Sequence, residues 1–279
     1  MASGTSDLAR PESGTRETRI SGLKTRWIRR GERRGEDLPI LVLHGWGAHL
    51  EAIESIVLAL EGETEVLALD LPGFGASEPP RETWGSEDYA RFVLAFLDAQ
   101  EIDRCHVVGH SFGGRVAVWL ANLEPGRFGR LVLCDASGLR PRRGARYYWR
   151  VGLAKVGRAI GLLGPPGRRL QDRIRRRVAS SDYLAAPESM RGTIRRVLGE
   201  DLSDQLSSVS LPVLLVWGEA DEDTPLWMGH RMEELILDSG LVVLPGAGHY
   251  SYADSPGRFT QVSRHFLCHQ PREVAKDSR

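Results

Sequence analysis

Six short runs of uninterrupted apolar residues do most to limit how this chain can fold. They are PILVLHG (39–45), EVLALD (65–70), CHVVGH (105–110), RLVLCD (130–135), PVLLVWG (212–218) and LVVLPG (241–246). A strand with one wet face alternates apolar and polar side chains. These runs do not alternate, so each is expected to be covered on both faces. Between them lie patterns of helical period. SEDYARFVLAFLDA puts Tyr89, Phe92, Val93, Phe96 and Leu97 on one stripe behind Ser86, a candidate N-cap. FGGRVAVWLANLEP stops before Pro125, and LWMGHRMEELILDSG ends in a glycine, a helix-stop signal. Strands alternating with helices predict an α/β architecture, a mostly parallel sheet with helices on both sides.

The alternation fails between residues 136 and 208. Strand-like runs vanish, and helical patterns appear near 145–163, 168–180 and 187–198, punctuated by GLLGPPGRR. This predicts an all-helical insertion over 136–208 that splits an α/β core into 20–135 and 209–270. Residues 1–19, rich in Ser, Thr, Gly and charge, are expected to form a disordered tail, and 271–279 a C-terminal tail.

Charge follows the same division. The whole chain balances 37 basic against 37 acidic residues, which favours no nucleic-acid partner. From 138 to 199, however, sixteen Lys and Arg face three acids, an excess of about +13, so the remainder carries about −13. Either the insertion recruits an acidic partner or an anionic substrate, or it is a solvated basic face balanced by acids on the core.

The three cysteines have no repeated spacing, as expected of reduced thiols in a cytoplasmic protein. The eight histidines show no ligand-like clustering, so neither metal nor cofactor is expected. The N-terminus lacks the apolar core of a signal peptide, and no apolar run approaches the roughly 20 residues of a membrane span.

One apolar run leads directly into chemistry. In HVVGHSFGGRVAVW, residues 106–119, a strand runs into G-x-S-x-G and then into a helix. The spacing suits a sharp strand-to-helix turn with Ser111 at its apex and Gly109 and Gly113 supplying missing side chains where the chain crowds itself. The helix beginning at Phe112 points amides and a positive dipole end at the serine. A serine hydroxyl needs a general base, and the base an orienting carboxylate. His249, in GAGHYSY, is the candidate base. Asp221, Asp223 and Glu219 share the loop WGEADEDTP, and Asp135 ends a neighbouring strand, so spacing leaves the acid open among these. An oxyanion needs two donors: the Phe112 amide and, from the glycine turn HGWG, the Trp46 amide. DLPGFGAS (70–77) follows a strand, but the third glycine of a dinucleotide fingerprint falls on Glu78, so a structural turn is expected there.

Taken in order, HGWG, DLPGFGAS, GHSFGGR, WGEADEDTP and GAGHYSY resemble the α/β-hydrolase fold family, from about residue 20 to 268. The resemblance implies that the acid is Asp221, three residues after the glycine of the WG turn. It also implies that the helical insertion is a cap roofing the site. Serine at position 111 separates the chain from epoxide hydrolases and haloalkane dehalogenases of this fold, which carry aspartate there. Ring-cleavage carbon–carbon hydrolases typically follow the histidine with tryptophan, where this chain has Tyr250. HGWG together with DLPGFG is similar to the pimeloyl-carrier methyl ester esterases, whose cap arginines face an acidic acyl carrier protein. The implied function is a serine hydrolase cleaving carboxylic esters through an acyl-enzyme on Ser111, Asp221 and His249. A carbon–carbon hydrolase or thioesterase on an anionic or carrier-bound substrate, and a non-hydrolytic ligand-binding member, are the alternatives. His44, His110 and Tyr250 are candidate substrate contacts.

Overall fold

The computed structural model describes residues 14–140 and 187–268. All six apolar runs lie in strands: β3 (Ile40–Leu43), β4 (Val66–Leu69), β5 (Cys105–His110), β6 (Phe128–Cys134), β7 (Val213–Gly218) and β8 (Ser239–Leu244). They pair in parallel within an eight-stranded sheet of order β1-β2-β4-β3-β5-β6-β7-β8. The absence of alternation in the sequence has its cause in the packing. Leu41, Leu43, Leu67 and Leu69 face one side of the sheet, where α2 (Ser86–Ala99) and α3 (Phe112–Leu123) bring Phe96, Val116 and Leu120. Ile40, Val42, Val66 and Ala68 face the other, against Ile56, Val57 and Leu60 of α1 (Glu54–Leu60) and Phe259 near the C-terminus. Both residue parities are therefore buried, as in doubly covered α/β sheets.

Two strands were not expected. β1 (Arg16–Ile20) begins inside the stretch read as a tail, and β2 (Leu23–Arg30) pairs antiparallel with both β1 and β4. Their two-residue turn has φ of 46° at Ser21 and 82° at Gly22, the doubly left-handed geometry that matches strand twist in a tight hairpin. The charged residues of LKTRWIRR disguise the strand, because β2 buries Leu23, Thr25 and Trp27 while Lys24 and Arg26 reach half into solvent.

Parallel register brings the turns after β3, β5, β6, β7 and β8 to one edge: Leu43 pairs with Gly109, His110 with Cys134, and Gly218 with Leu244. Such a carboxyl edge is where open α/β sheets place their sites. Beyond β6 the Leu202 amide donates to the Gly138 carbonyl at 2.9 Å, bringing residues 138 and 202 together. The pattern read at 187–198 forms a short 3₁₀ turn (Glu188–Met190) running into α4 (Arg191–Gly199), followed by α5 (Ser203–Ser207). Met190, Ile194 and Val197 seat this piece on the core. The patterns at 145–163 and 168–180, with most of the basic run, lie outside the described residues.

Two helix-end readings change. Gly85, not Ser86, caps α2: its amide donates to the Asp88 carboxylate at 2.7 Å, and Ser86 is the first helical residue. After β7, α6 (Trp227–Leu235) ends at Leu235, well before Gly240, which belongs to β8. The chain closes with α7 (Ser251–Asp254) and α8 (Pro256–Cys268). Among the described residues no helix is long and apolar enough to cross a membrane.

Candidate active site

Ser111 sits where β5 becomes α3, at φ 51° and ψ −111°, a conformation an L-residue occupies only under constraint. The constraint is visible. The Ser111 amide donates to the Cys134 carbonyl at 3.0 Å, and its own carbonyl accepts from Gly114 and Ser137 at 3.0 and 3.1 Å. A Cβ at Gly113 would stand 2.3 Å from the Leu43 carbonyl oxygen, and one at Gly109 2.5 Å from the Gly113 oxygen. The G-x-S-x-G spacing is thus a steric requirement of strand, turn and helix meeting in one place.

Two loops converge on the serine. His249, beyond β8, places Nε2 3.1 Å from Ser111 Oγ and Nδ1 2.9 Å from Asp221 Oδ2. Because a carboxylate can only accept, Nδ1 carries the proton and Nε2 is free to accept from the serine hydroxyl. Burial alone would lower the pKa of His249. The bond and charge of Asp221, with the charges of Asp223 and Asp135, outweigh burial and raise it above the ordinary 6.5. Burial would likewise raise Asp221, but hydrogen bonds from His249 and Thr224 hold it below the usual carboxylate range.

Of the four acids open on spacing, only Asp221 meets the imidazole. Its Oδ1 also accepts the Asp223 and Thr224 amides at 2.8 and 3.0 Å, and its Oδ2 lies 2.7 Å from Thr224 Oγ1. Asp223 is exposed at the mouth of the cleft, and Glu219 accepts from the Gly246 amide at 3.0 Å. Asp135, fully buried, accepts from two amides and, at 3.4 Å, from the Cys134 thiol instead. It accepts from the Gly218 amide at 2.7 Å and the Ser251 amide at 3.1 Å, joining the end of β7 to the loop of His249. Burial pushes its pKa up to about 6 against the pull of those bonds.

The serine opens into a cleft of about 260 Å³. Trp46, Phe112, His110 and Tyr250 line it beside Ser111 and His249, and Ile194 and Val197 face them from α4. Trp46 packs edge-on against Phe112, centroids 5.3 Å apart, and against Phe74 at 4.9 Å. Among the turn and loop hydrogen bonds of the described residues, none is donated by the Trp46 or Phe112 amide. Tyr250 stands half exposed at the rim and His110 is buried beneath it, donating from Nε2 to the His249 carbonyl at 2.9 Å. Burial lowers the pKa of His110 to about 3.

His44 departs from expectation. It is fully buried and does not reach the cleft. Nδ1 donates to the Gly45 carbonyl at 2.7 Å and Nε2 accepts the Leu71 amide at 2.9 Å, so both ring nitrogens hold turns. Several lining residues went unnamed in the sequence, among them three beside the relay or on its helix. Thr224 and Met228 line the cleft, the former contacting Asp221 and, at 3.3 Å, His249 Nδ1. Arg115 also lines it, and its signal was present, four residues and so about one helical turn after Ser111.

A serine at a strained elbow, and an imidazole and a buried carboxylate brought to it from two further strand ends, fit one family of sheets. The sequence model of that family, the alpha/beta hydrolases, matches residues 40–262. A pimeloyl-[acyl-carrier protein] methyl ester esterase of Aeromonas hydrophila is 30% identical over 255 residues, spanning 85% of this chain and 98% of the relative. The crystal structure of a hydrolase from Pseudomonas aeruginosa superposes with TM-score 0.71 at 27% identity, covering 93% of this chain and all (100%) of the other. An enol-lactonase from Burkholderia xenovorans shares the fold with TM-score 0.71 at 22% identity, covering 91% and 100%. The elbow, the converging loops and these likenesses agree that the chain belongs to the alpha/beta hydrolase family.

Proposed function

We propose that this hydrolase cleaves carboxylic esters through an acyl-enzyme on Ser111. The observation that carries the reading is the unbroken relay from Ser111 Oγ through His249 to Asp221 at the floor of a cleft. His249 Nε2 takes the hydroxyl proton as Oγ attacks the ester carbonyl carbon. The carbonyl electron pair moves onto oxygen, where the Trp46 and Phe112 amides and the N-terminus of α3 stabilise it. Collapse expels the alcohol oxygen, which takes the proton from His249. Water then enters, gives a proton to His249, and attacks the acyl carbon. The acid departs and the proton returns to Ser111. In this reading residues 136–208 are the cap that selects substrates, and Tyr250 and His110 contact the bound ester. The thiols Cys105, Cys134 and Cys268 are free, which suits a reducing compartment such as the cytoplasm.

A fluorophosphonate probe is the direct test. It should add one label, on Ser111, and abolish turnover of p-nitrophenyl esters, whereas Ser111→Ala should neither label nor turn over. An unlabelled, inactive natural chain would favour a ligand-binding member of the family. A second reading concerns the partner. The basic insertion, and a relative that acts on a carrier-bound ester, support an acidic carrier docking on the cap. Added salt should then depress kcat/KM for a carrier-bound ester and spare a small neutral one.

A further inference from the structure

The relay leaves one cation of the cleft lining without a task. Arg115 emerges from α3 about one turn beyond Ser111. Among the described residues lining the cleft it is the only lysine or arginine. Its side chain is 5% exposed, and so deep a charge is costly unless well paired.

Among the described residues it is not well paired. Nε donates to Ser137 Oγ at 3.2 Å, Nη1 to Glu200 Oε2 at 3.5 Å, and Nη2 to the Glu200 carbonyl at 3.4 Å. These sit at or beyond the long end of ordinary N–H···O distances. Among the described residues they use three of the five N–H groups a guanidinium offers. Glu200 is committed elsewhere. Its carboxylate takes the Ser86 amide at 3.1 Å together with the Ser86 hydroxyl, fastening the end of α4 to the first turn of α2. Burial lowers the pKa of Arg115 to about 10 despite the nearby charges of Glu200 and Asp201. The neighbouring acids therefore compensate the burial of this cation only in part.

We propose that Arg115 is the specificity-determining residue of the cleft, its guanidinium fork receiving the free carboxylate of a dicarboxylic acid monoester whose other end is attacked by Ser111. Helix α3 then supplies both ends of the recognition: its N-terminus faces the scissile carbonyl, and its next turn faces the distal carboxylate. The cleft lining also includes the apolar Leu139, Ile194, Val197 and Met228, which suit a short methylene chain. A planar fork takes a carboxylate through two parallel N–H···O bonds, whereas an ammonium offers a single point charge. The proposal rests on the acyl-transfer reading of Ser111.

The test compares monomethyl adipate with methyl hexanoate, and monomethyl glutarate with methyl pentanoate, by acid release at constant pH. The quantity read is the ratio of kcat/KM, charged over neutral. Arg115→Gln should lower that ratio about tenfold or more, mainly through KM, and Arg115→Lys should lower it less. Glu200→Gln, which removes the competing acid, should raise it. A ratio that is unchanged in Arg115→Gln, or one that falls in Glu200→Gln, overturns the proposal. If Arg115→Gln does not fold, the Glu200→Gln ratio decides alone. Fluorophosphonate labelling of the natural chain separates the two readings. Labelled Ser111 with an unmoved ratio removes only the role of Arg115, whereas absence of label removes the acyl-enzyme itself.

Discussion

Two turns at the carboxyl edge of the sheet each present a histidine near a buried aspartate, and they behave in opposite ways. His44, after β3, has Asp70 nearby but bonds only to backbone, through the Gly45 carbonyl and the Leu71 amide. Burial takes its pKa down to about 4. His249, after β8, is hydrogen-bonded directly to Asp221 and its pKa rises instead. His44 is also the more deeply buried, with His249 14% exposed, so depth and the partner of one ring nitrogen both separate them. A backbone carbonyl fixes a neutral tautomer, while a carboxylate also favours the cation that a general base becomes. His44 is held neutral between two turns, whereas His249 is held where protonation is favoured, as the base proposed above requires.

Substituting both histidines breaks the comparison most sharply. His249→Ala should lower kcat for a p-nitrophenyl ester by about 10⁴ or more, as loss of any member of such a relay does, with little change in melting temperature. His44→Ala should do the reverse. It strands the Leu71 amide and the Gly45 carbonyl in the core, at about 1–3 kcal/mol for each unsatisfied group, which thermal denaturation would register. Its effect on kcat should stay at or below about 10²–10³, the worth of a single oxyanion donor, since only the turn presenting Trp46 is disturbed. Equal losses of activity in the two variants would mean that His44 takes part in the chemistry.

Asp135→Asn sharpens the comparison from the acid side. The Asp135 carboxylate serves two amides, Gly218 and Ser251, one on each loop that feeds the relay. An asparagine has one acceptor oxygen and would turn an N–H₂ toward the other amide. The expected cost is about 1–3 kcal/mol of stability, read by denaturant titration. A smaller loss of kcat should follow, because the Asp221 and His249 loops lose their common tie. A full relay-sized loss of activity with unchanged stability would instead give Asp135 the part assigned to Asp221.

The legibility of these features follows their range along the chain. The elbow at Ser111 was readable because its motif is short and contiguous, although only the Gly109 crowding is local, against the Gly113 oxygen, while Gly113 is required by the Leu43 carbonyl of β3. The core strands were readable because burial on both faces removes alternation, although β8, at the sheet edge, is apolar while only Leu244 in it is buried. The β1–β2 hairpin was not, since an edge strand keeps charged residues on its wetter face and Ser21 gives no strong turn signal. The work of Thr224 and Asp135 depends on β6, β7 and β8 lying side by side, so residues 135, 218, 224 and 251 become neighbours only after the sheet forms. For His44 the motif placed the residue correctly at the edge, but a sequence does not state which way a ring points from a tight glycine turn.

The smallest expected effect separates hydrogen bonding from charge at His249. Asp223, the nearest rival for the acid in sequence, is exposed and touches the relay only by donating its amide to Asp221. Its charge nevertheless contributes to raising the histidine. For a base that must be neutral to act, kcat/KM rises with pH through the pKa of the free enzyme, here above the ordinary 6.5 of an imidazole. Asp223→Asn keeps the amide bond and removes the charge. The inflection should therefore move toward lower pH by less than about one unit, with the plateau rate nearly unchanged. Because Asp223 is exposed, the difference between variant and natural chain should shrink as salt is added. Asp221→Asn removes the carboxylate that fixes the tautomer, and should instead collapse the plateau itself by about 10⁴. A pH–rate profile for each variant at two ionic strengths distinguishes a long-range field from a bond. A collapsed plateau in Asp223→Asn would transfer the orienting role from Asp221 to its neighbour.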